Sequence, residues 1–260
     1  MDFLQIISDL VLKNFGAVFP VMAVLTRISV FIFLLPGLGE NAIPTRVRLV
    51  TALLITVLII PFVGIDATIK DTQWNVSTMV AVIAFEGFYG FVLGFGLRLM
   101  VFGLQIAGSI ISQNLSLTQV FGGGMTSEPN TTISTILMLG GVTLLLTLDM
   151  HTKAVGLLVR SYEIFPLAST PVFEDTVYWV AQKTVGVFSF AVTLALPLLV
   201  FNFIYNLMLG FVNKAMPQLM VSFVGMPFVT GAGIILLALS ISGILTVWLN
   251  TYDTHMAEMF

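Results

Sequence analysis

Three charged residues lie inside stretches of the chain that are otherwise apolar: Arg27, Glu86 and Arg98. A charge at the centre of a membrane helix costs about 2.5–3.5 kcal/mol on insertion scales, so each needs a partner or a wet surface. One interpretation is a path for protons or ions. The other is structural: an ion pair inside the bundle or against another subunit, or an arginine that extends its head group to the interface. We favour the structural interpretation.

A row of polar residues ends the third apolar stretch at helical spacing. Four of its members share one helix face: Gln105, Ser109, Ser112 and Ser116. Gln113 and Asn114 widen the row, and the chain then enters an uncharged segment with three consecutive glycines. Such a polar stripe is either an ordinary wet face or the lining of a water-filled passage, and the sequence leaves both interpretations open.

Two further patterns indicate contacts between helices. Asn202, Asn206 and Asn213 share a helix face, and asparagine in an apolar helix usually bonds a neighbouring helix, which stabilises that contact by about 0.6–2 kcal/mol. Gly90 and Gly94 stand one turn apart, where small residues let two helix backbones approach closely. Both patterns indicate packing rather than a binding site.

The sequence offers little that supports catalysis. The HExxH motif of zinc proteases and the GxxxxGK[ST] loop of nucleotide motors do not occur. The chain has no cysteine for thiolate chemistry or Cys-based metal sites. So few titratable groups do not support a serine hydrolase either. We therefore expect no enzymatic activity, no catalytic residue, no bound metal and no cofactor.

Composition indicates which elements must position these residues. Hydrophobic residues make up 58% of the 260 residues and charged residues 9%, with a mean hydropathy of +1.06. A soluble chain cannot cover so much apolar surface, and the continuous apolar runs require helices rather than barrel strands. The net charge of −3 argues against a nucleic-acid partner. We predict an all-α, polytopic membrane protein that forms a single membrane-embedded domain over residues 1–260.

About six apolar helices are predicted, some of them kinked and packed as hairpins. Each is long enough to cross, or nearly cross, a hydrocarbon core about 30 Å thick. They are Ala17–Leu35, Val47–Ile65, Met79–Ala107, Ile133–Leu148, Val185–Val212 and Val229–Leu249. The longest connection is predicted at Met150–Lys183, and Pro197 falls inside the fifth stretch, where it kinks the helix or needs a neighbour. Lysine and arginine are too evenly shared to orient the chain.

The order of the motifs along the chain resembles the FliR family, the R subunit of the flagellar type III export gate, with relatives among injectisome T components. The resemblance covers nearly the whole chain. It is carried by Arg27-Ile28-Ser29, Ile43–Arg48, Glu86-Gly87, Leu93-Gly94-Phe95, Ala107-Gly108, Glu128-Pro129, Asp149-Met150-His151, Pro217-Gln218-Leu219 and Gly225-Met226-Pro227. Met150 and Thr152 depart from the family's Gly and second His, which argues against a metal site there.

The resemblance implies one copy of this chain in a closed helical cone with P- and Q-type export gate subunits. That cone would lie at the flagellar basal body in the bacterial inner membrane, with lipid and other export apparatus components around it and unfolded flagellar proteins in transit. The family's central loop plugs the closed pore and corresponds by position to Ile110–Glu128. A plug needs bulky apolar side chains that exclude water and glycines that let the backbone move. The candidate plug residues are Val120, Phe121, Gly122, Gly123, Gly124 and Met125.

An alternative from another class is a secondary transporter or ion-conducting membrane protein with a midplane site at Glu86 and Arg27. An inverted repeat should then appear in the hydropathy, and none is found. A scaffold with no conduit role is a third alternative, which a conductance measurement separates from a gate.

Overall fold

The computed structural model describes residues 3–40, 42–63, 75–115, 132–215 and 221–259. Over these ranges the chain forms seven α-helices and a short 3-10 helix, and it contains no β-strand. The helices are α1 Phe3–Leu34, α2 Thr45–Ile59, α3 Val76–Asn114, α4 Thr132–Thr147, α5 Met150–Ile164, α6 Phe173–Ala215 and α7 Val221–Ala257. The 3-10 helix Ile60–Phe62 extends α2. The predicted all-α class is therefore confirmed.

Four helices are long and apolar enough to cross a membrane: α2 with its 3-10 extension, α3, α6 and α7. The pair α4 and α5 is apolar enough only when taken together, with a bend at the break between the two helices, and it is either a broken span or a re-entrant segment. In α1, the residues Val18–Leu34 form a shorter apolar helix. The four helices are long enough to cross, or nearly cross, a hydrocarbon core of about 30 Å, and they confirm the prediction of a polytopic membrane protein.

The structure differs from the prediction between residues 150 and 183. The region predicted as a connection contains all of α5 and the start of α6. Charged residues interrupt the apolar run in α5, so a search for continuous hydrophobicity passes over this helix. Its buried side chains nevertheless recur at helical spacing. They are Met150, Ala154, Leu157, Leu158, Ser161 and Tyr162.

Proline occurs inside three of the described helices. Pro20, Pro197 and Pro227 all lie inside helices. The last predicted stretch, Val229–Leu249, starts too late, because α7 begins at Val221 and contains Pro227. Membrane helices tolerate internal proline because neighbouring groups satisfy the carbonyl that proline leaves free.

The chain divides into two compact units. Unit 1 comprises Met1–Arg98, Leu146–Ala181 and Met259, and unit 2 comprises Leu99–Leu145, Gln182–Glu258 and Phe260. The single domain over residues 1–260 stays a prediction.

Each unit contains a place where two helices touch through glycine. In unit 1, a Cβ atom on Gly90 would collide with the backbone carbonyl of Arg27, so α1 and α3 are in backbone contact there. In unit 2, a Cβ on Gly108 would lie 2.5 Å from Ser134 Cα, which brings α3 against α4. Close approaches of this kind are the usual role of small residues in membrane helices.

Candidate functional site

A buried ion pair joins two helices of unit 1. Arg27 on α1 donates from Nε to Oε2 of Glu86 on α3 over 2.7 Å. Both side chains have no exposed surface. At this depth an unpaired charge would be strongly unfavourable, and pairing removes most of that penalty only when further hydrogen bonds complete the site.

The remaining guanidinium nitrogens of Arg27 reach α5 and the residue that follows it. Nη1 donates to Ser161 Oγ over 3.2 Å, and Nη2 donates to the carbonyl of Phe165 over 3.0 Å. The guanidinium also lies 3.9 Å from the ring centroid of Tyr162 and 4.9 Å from that of Tyr89. Aromatic faces stabilise a desolvated cation through the ring quadrupole. Arg27 is thus surrounded by α1, α3 and α5.

Glu86 extends the same cluster into the loop between α5 and α6. Its Oε1 accepts a hydrogen bond from the backbone N–H of Ala168 over 3.2 Å. Ala168 has a φ of +66°, a left-handed conformation that costs an L-residue about 1–2 kcal/mol. The carboxylate therefore holds the loop in a conformation that alanine seldom adopts.

The sequence indicated Arg27 and Glu86 but not the groups around them. Phe165 and Ala168 contribute backbone atoms, which no side-chain pattern reveals. Ser161 lies in the helix that the hydropathy search missed. The closed geometry favours the structural interpretation of both charges, which stays a prediction until Glu86 is substituted.

An open polar pocket in unit 2 is lined by amide side chains. The pocket has a volume of about 380 Å³ and is lined by Gln113, Asn114, Asn202, Asn206 and Val229. We call it the amide pocket. Asn202 Nδ2 donates to Asn114 Oδ1 over 3.1 Å, which bonds α6 to α3. Asn206 donates to the carbonyl and to Oδ1 of Asn202.

The members of the predicted polar stripe differ in how deeply they are buried. Ser112 is buried, Gln105 and Ser109 are half-buried, and Gln113 is exposed. Gln105 contacts the sulfur of Met138 on α4. Ser116 and the predicted plug residues Val120–Met125 lie outside the described residues. The exposed end of the stripe is therefore the end that belongs to the amide pocket.

Comparison with known proteins shows matches over most of the chain. Residues 18–255 match the family described as bacterial export proteins, family 1. The chain belongs to this family. It is 33% identical to the flagellar biosynthetic protein FliR of Caulobacter vibrioides over 88% of this chain and 91% of that protein. It is 30% identical to the FliR protein of Aquifex aeolicus over 90% and 88% of the two chains. It is 26% identical to the FliR protein of Bacillus subtilis over 92% of each chain.

Membership of bacterial export proteins, family 1, confirms the resemblance that the motif order indicates. The match includes both the buried ion pair and the amide pocket, since all their residues lie between 18 and 255. It favours a role in export over the alternative of a secondary transporter with a site at Glu86 and Arg27.

Arg98 is the third intramembrane charge of this family 1 export protein, and it lies apart from the buried cluster. Its guanidinium is 3.7 Å from the carboxylate of Glu40, and the two side chains are 22% and 20% exposed. It also donates to the carbonyl of Leu34 over 3.5 Å. Sequence reasoning did not single out Glu40, because this residue lies between the apolar stretches Ala17–Leu35 and Val47–Ile65 rather than inside one.

Proposed function

We propose that this chain is the R-type subunit of the flagellar type III protein export gate. It forms part of the conduit, and of its plug, through which unfolded flagellar proteins cross the bacterial inner membrane at the basal body. The match to an export family over residues 18–255 carries the proposal, and flagellar relatives of similar coverage support it. The role is conductive and structural rather than catalytic.

The surface of α6 supports an assembly with other membrane proteins. This helix has 43 residues, which at a rise of 1.5 Å per residue gives about 65 Å. Large apolar side chains are exposed along its length, among them Val177, Val185, Phe203 and Phe211. A bilayer core of about 30 Å cannot cover a helix of this length at the usual tilts of up to about 40°. Protein neighbours must cover the remainder, and P- and Q-type subunits are the partners that we propose.

Purification from the native membrane tests this proposal. We expect the tagged chain, extracted in mild detergent, to carry small P- and Q-type membrane proteins with it. An untagged strain gives the background. Expressed without these partners, the chain should be degraded or polydisperse in detergent. A monodisperse, protease-resistant monomer without partners would contradict the proposal.

The plug is proposed from sequence, at Val120–Met125. Hydrophobic constrictions stop ions by excluding water, and glycine lets such a segment move aside because it adopts backbone angles that other residues avoid. Deleting Val120–Met125 should leave the complex assembled but permeable to small ions, with slower growth in salt and export that persists. Deleting the six residues Ala67–Thr72 from another connection is the matched control. A deletion of Val120–Met125 that assembles, shows no leak and exports at the parental rate places the plug elsewhere.

A further inference from the structure

The amide pocket collects hydrogen-bonding groups between two strongly apolar helices. The most apolar windows of α3 and α6 have mean hydropathies of 1.8 and 2.2. Four of the five residues that line the pocket nevertheless carry an amide side chain, and none of these lining residues is charged. Gln113 and Asn206 are exposed at this open pocket, so water or an entering molecule can bond the polar groups that the protein itself leaves unpaired.

The amides bond each other only in part. Asn202 Nδ2 donates to Asn114 Oδ1, Asn114 Nδ2 donates to the carbonyl of Ile110, and Asn206 Nδ2 donates to Asn202. Each amide has two N–H donors and an oxygen with two lone pairs. Within the described residues, Asn206 Oδ1 and the whole Gln113 amide have bonding capacity left over. The pocket therefore offers both donors and acceptors to a molecule that enters it, without any charge.

We propose that the amide pocket binds the peptide backbone of the polypeptide in transit, an inference that rests on the proposed export function. Exported chains differ in their side chains but share the same N–H and C=O groups. A primary amide matches both groups, so it bonds a peptide of any sequence. An uncharged pocket holds neither acidic nor basic segments by attraction. Amides here replace the water that the backbone loses in an apolar passage.

Thiol trapping in the assembled complex tests the contact. The chain has no cysteine, so Asn206→Cys introduces its only thiol. An export substrate is stalled by a stably folded C-terminal fusion and carries one cysteine, placed in turn at several positions of its unfolded part. With a mild oxidant added to accept the two electrons of the thiol pair, disulfide adducts should form at Asn206→Cys with the substrate positions that the stall holds beside the pocket, whatever the neighbouring sequence. The matched control Met208→Cys, exposed on the same helix, should give about tenfold less adduct because disulfides need close Cβ atoms.

Adducts at Asn206→Cys no stronger than at Met208→Cys, in a complex that still exports, would overturn the proposal. Adducts with a partner subunit in cells without stalled substrate would also overturn it, because the amides would then hold the assembly together. If Asn206→Cys does not assemble, Gln113→Cys decides in the same way, and failure of both to assemble counts against the pocket. If the unmodified chain carries no stalled substrate at all, the export function itself fails.

Export rates give a second readout. Asn206→Leu should slow two substrates of unrelated sequence by the same factor, about two- to tenfold, since it removes hydrogen bonds to groups that both share. Asn206→Asp should make the rate depend on the charge of the substrate. Unequal slowing by Asn206→Leu would indicate recognition of side chains and would contradict binding of the backbone.

Discussion

The two units treat their polar groups in opposite ways. In unit 1, Arg27 and Glu86 carry full charges and have no exposed surface, and hydrogen bonds and aromatic rings surround them. In unit 2, Asn114, Asn202 and Asn206 are neutral and line an open pocket with bonding capacity left over. In these two clusters the charged groups are enclosed and the neutral polar groups are accessible.

This difference fits a protein that handles chains of any composition. A charged group facing a passage would attract segments of one sign and repel those of the other, whereas a neutral amide does neither. The charges instead stabilise the contact of three helices, where a single pair reaches α1, α3, α5 and the loop after α5. The most conspicuous residues of the sequence are therefore those that we predict to serve the fold, and the less conspicuous amides are those that we propose to meet the substrate.

Breaking the buried pair should have the largest effect. Glu86→Leu leaves the Arg27 guanidinium buried without its counter-charge, and loss of one partner of a buried pair costs about 3–5 kcal/mol. We expect the variant chain to be degraded in membranes and absent from the purified complex. Protease protection and the amount of chain in the complex measure this effect.

Two controls accompany Glu86→Leu. Glu86→Gln also removes the counter-charge but keeps a hydrogen-bond acceptor for Arg27, so it should retain most of the assembly and export that Glu86→Leu loses. The double variant Arg27→Leu, Glu86→Leu removes both charges and should recover part of the lost stability, as double-mutant cycles test directly. A Glu86→Gln complex that assembles fully but exports nothing would show that the carboxyl group takes part in proton transfer.

Replacing a glycine at a helix contact should have a smaller effect, because overpacking destabilises a protein by about 1–3 kcal/mol. Gly90→Ala should force α1 and α3 apart, because the new methyl group meets the Arg27 backbone carbonyl, which cannot rotate away. Gly186→Ala is the matched control, since its methyl group would meet no atom within 4 Å. That control should be neutral or slightly stabilising, because alanine has a higher helix propensity than glycine. Equal loss of thermal stability in both variants would show that close packing at Gly90 is unimportant.

The sequence located the helices well and their contacts poorly. All six predicted apolar stretches overlap helices of the structure, because continuous hydrophobicity is a direct requirement of the bilayer. The missed helix, α5, owes its stability to one buried face and carries Lys153, Arg160 and Glu163 elsewhere. Amphipathic character of this kind is weak evidence against a background of strongly apolar stretches.

Contacts between residues that are far apart in the sequence are harder to predict. Arg27 and Glu86 are 59 residues apart and Asn114 and Asn202 are 88 apart. Periodicity assigned each residue to a helix face but not to a neighbour, since the neighbour depends on which helices pack together. The polar stripe that Asn114 widens and the stripe that begins at Asn202 were both recognised, yet only the structure shows that these two residues bond each other.

The bond between α3 and α6 should have a smaller effect than either change in unit 1. Asn202→Leu removes the donor to Asn114, and interhelical hydrogen bonds in membranes contribute about 0.6–2 kcal/mol. A decrease of a few degrees in the melting temperature of the complex is expected. Asn213→Leu, on the same helix but outside the amide pocket, should leave the melting temperature unchanged. A large loss from Asn213→Leu instead would place the stabilising contact nearer the end of α6.

An exposed ion pair in unit 2 should give the smallest effect. Lys183 Nζ lies 2.8 Å from Glu258 Oε2, and its hydrogen bond and positive charge lower the pKa of the Glu258 carboxyl. A lowered pKa stabilises the fold only while the carboxyl is ionised. The contribution is present above the unfolded-state pKa and is lost as the pH falls through the lowered folded-state value.

Glu258→Gln should therefore leave protease protection unchanged at neutral pH within the precision of the assay, because solvent screens exposed pairs. We expect protease protection to decrease when the pH is lowered, and Glu258→Gln should remove the part of that decrease that this ion pair causes. A loss at neutral pH comparable with that of Glu86→Leu would contradict the contrast between enclosed and accessible groups.

The position of Arg27 in the first helix has a consequence for biosynthesis. The ribosome makes Arg27 well before Glu86, and Ser161 and Phe165 follow 134 and 138 residues after it. Until α3 is made, the arginine has no counter-charge, and its insertion costs about 2.5–3.5 kcal/mol. We therefore expect α1 to stay beside the insertion machinery or at the interface while synthesis continues. Chains truncated before Glu86 should leave α1 extractable from membranes by alkaline wash, so that the earliest helix enters the bilayer firmly only after later ones arrive.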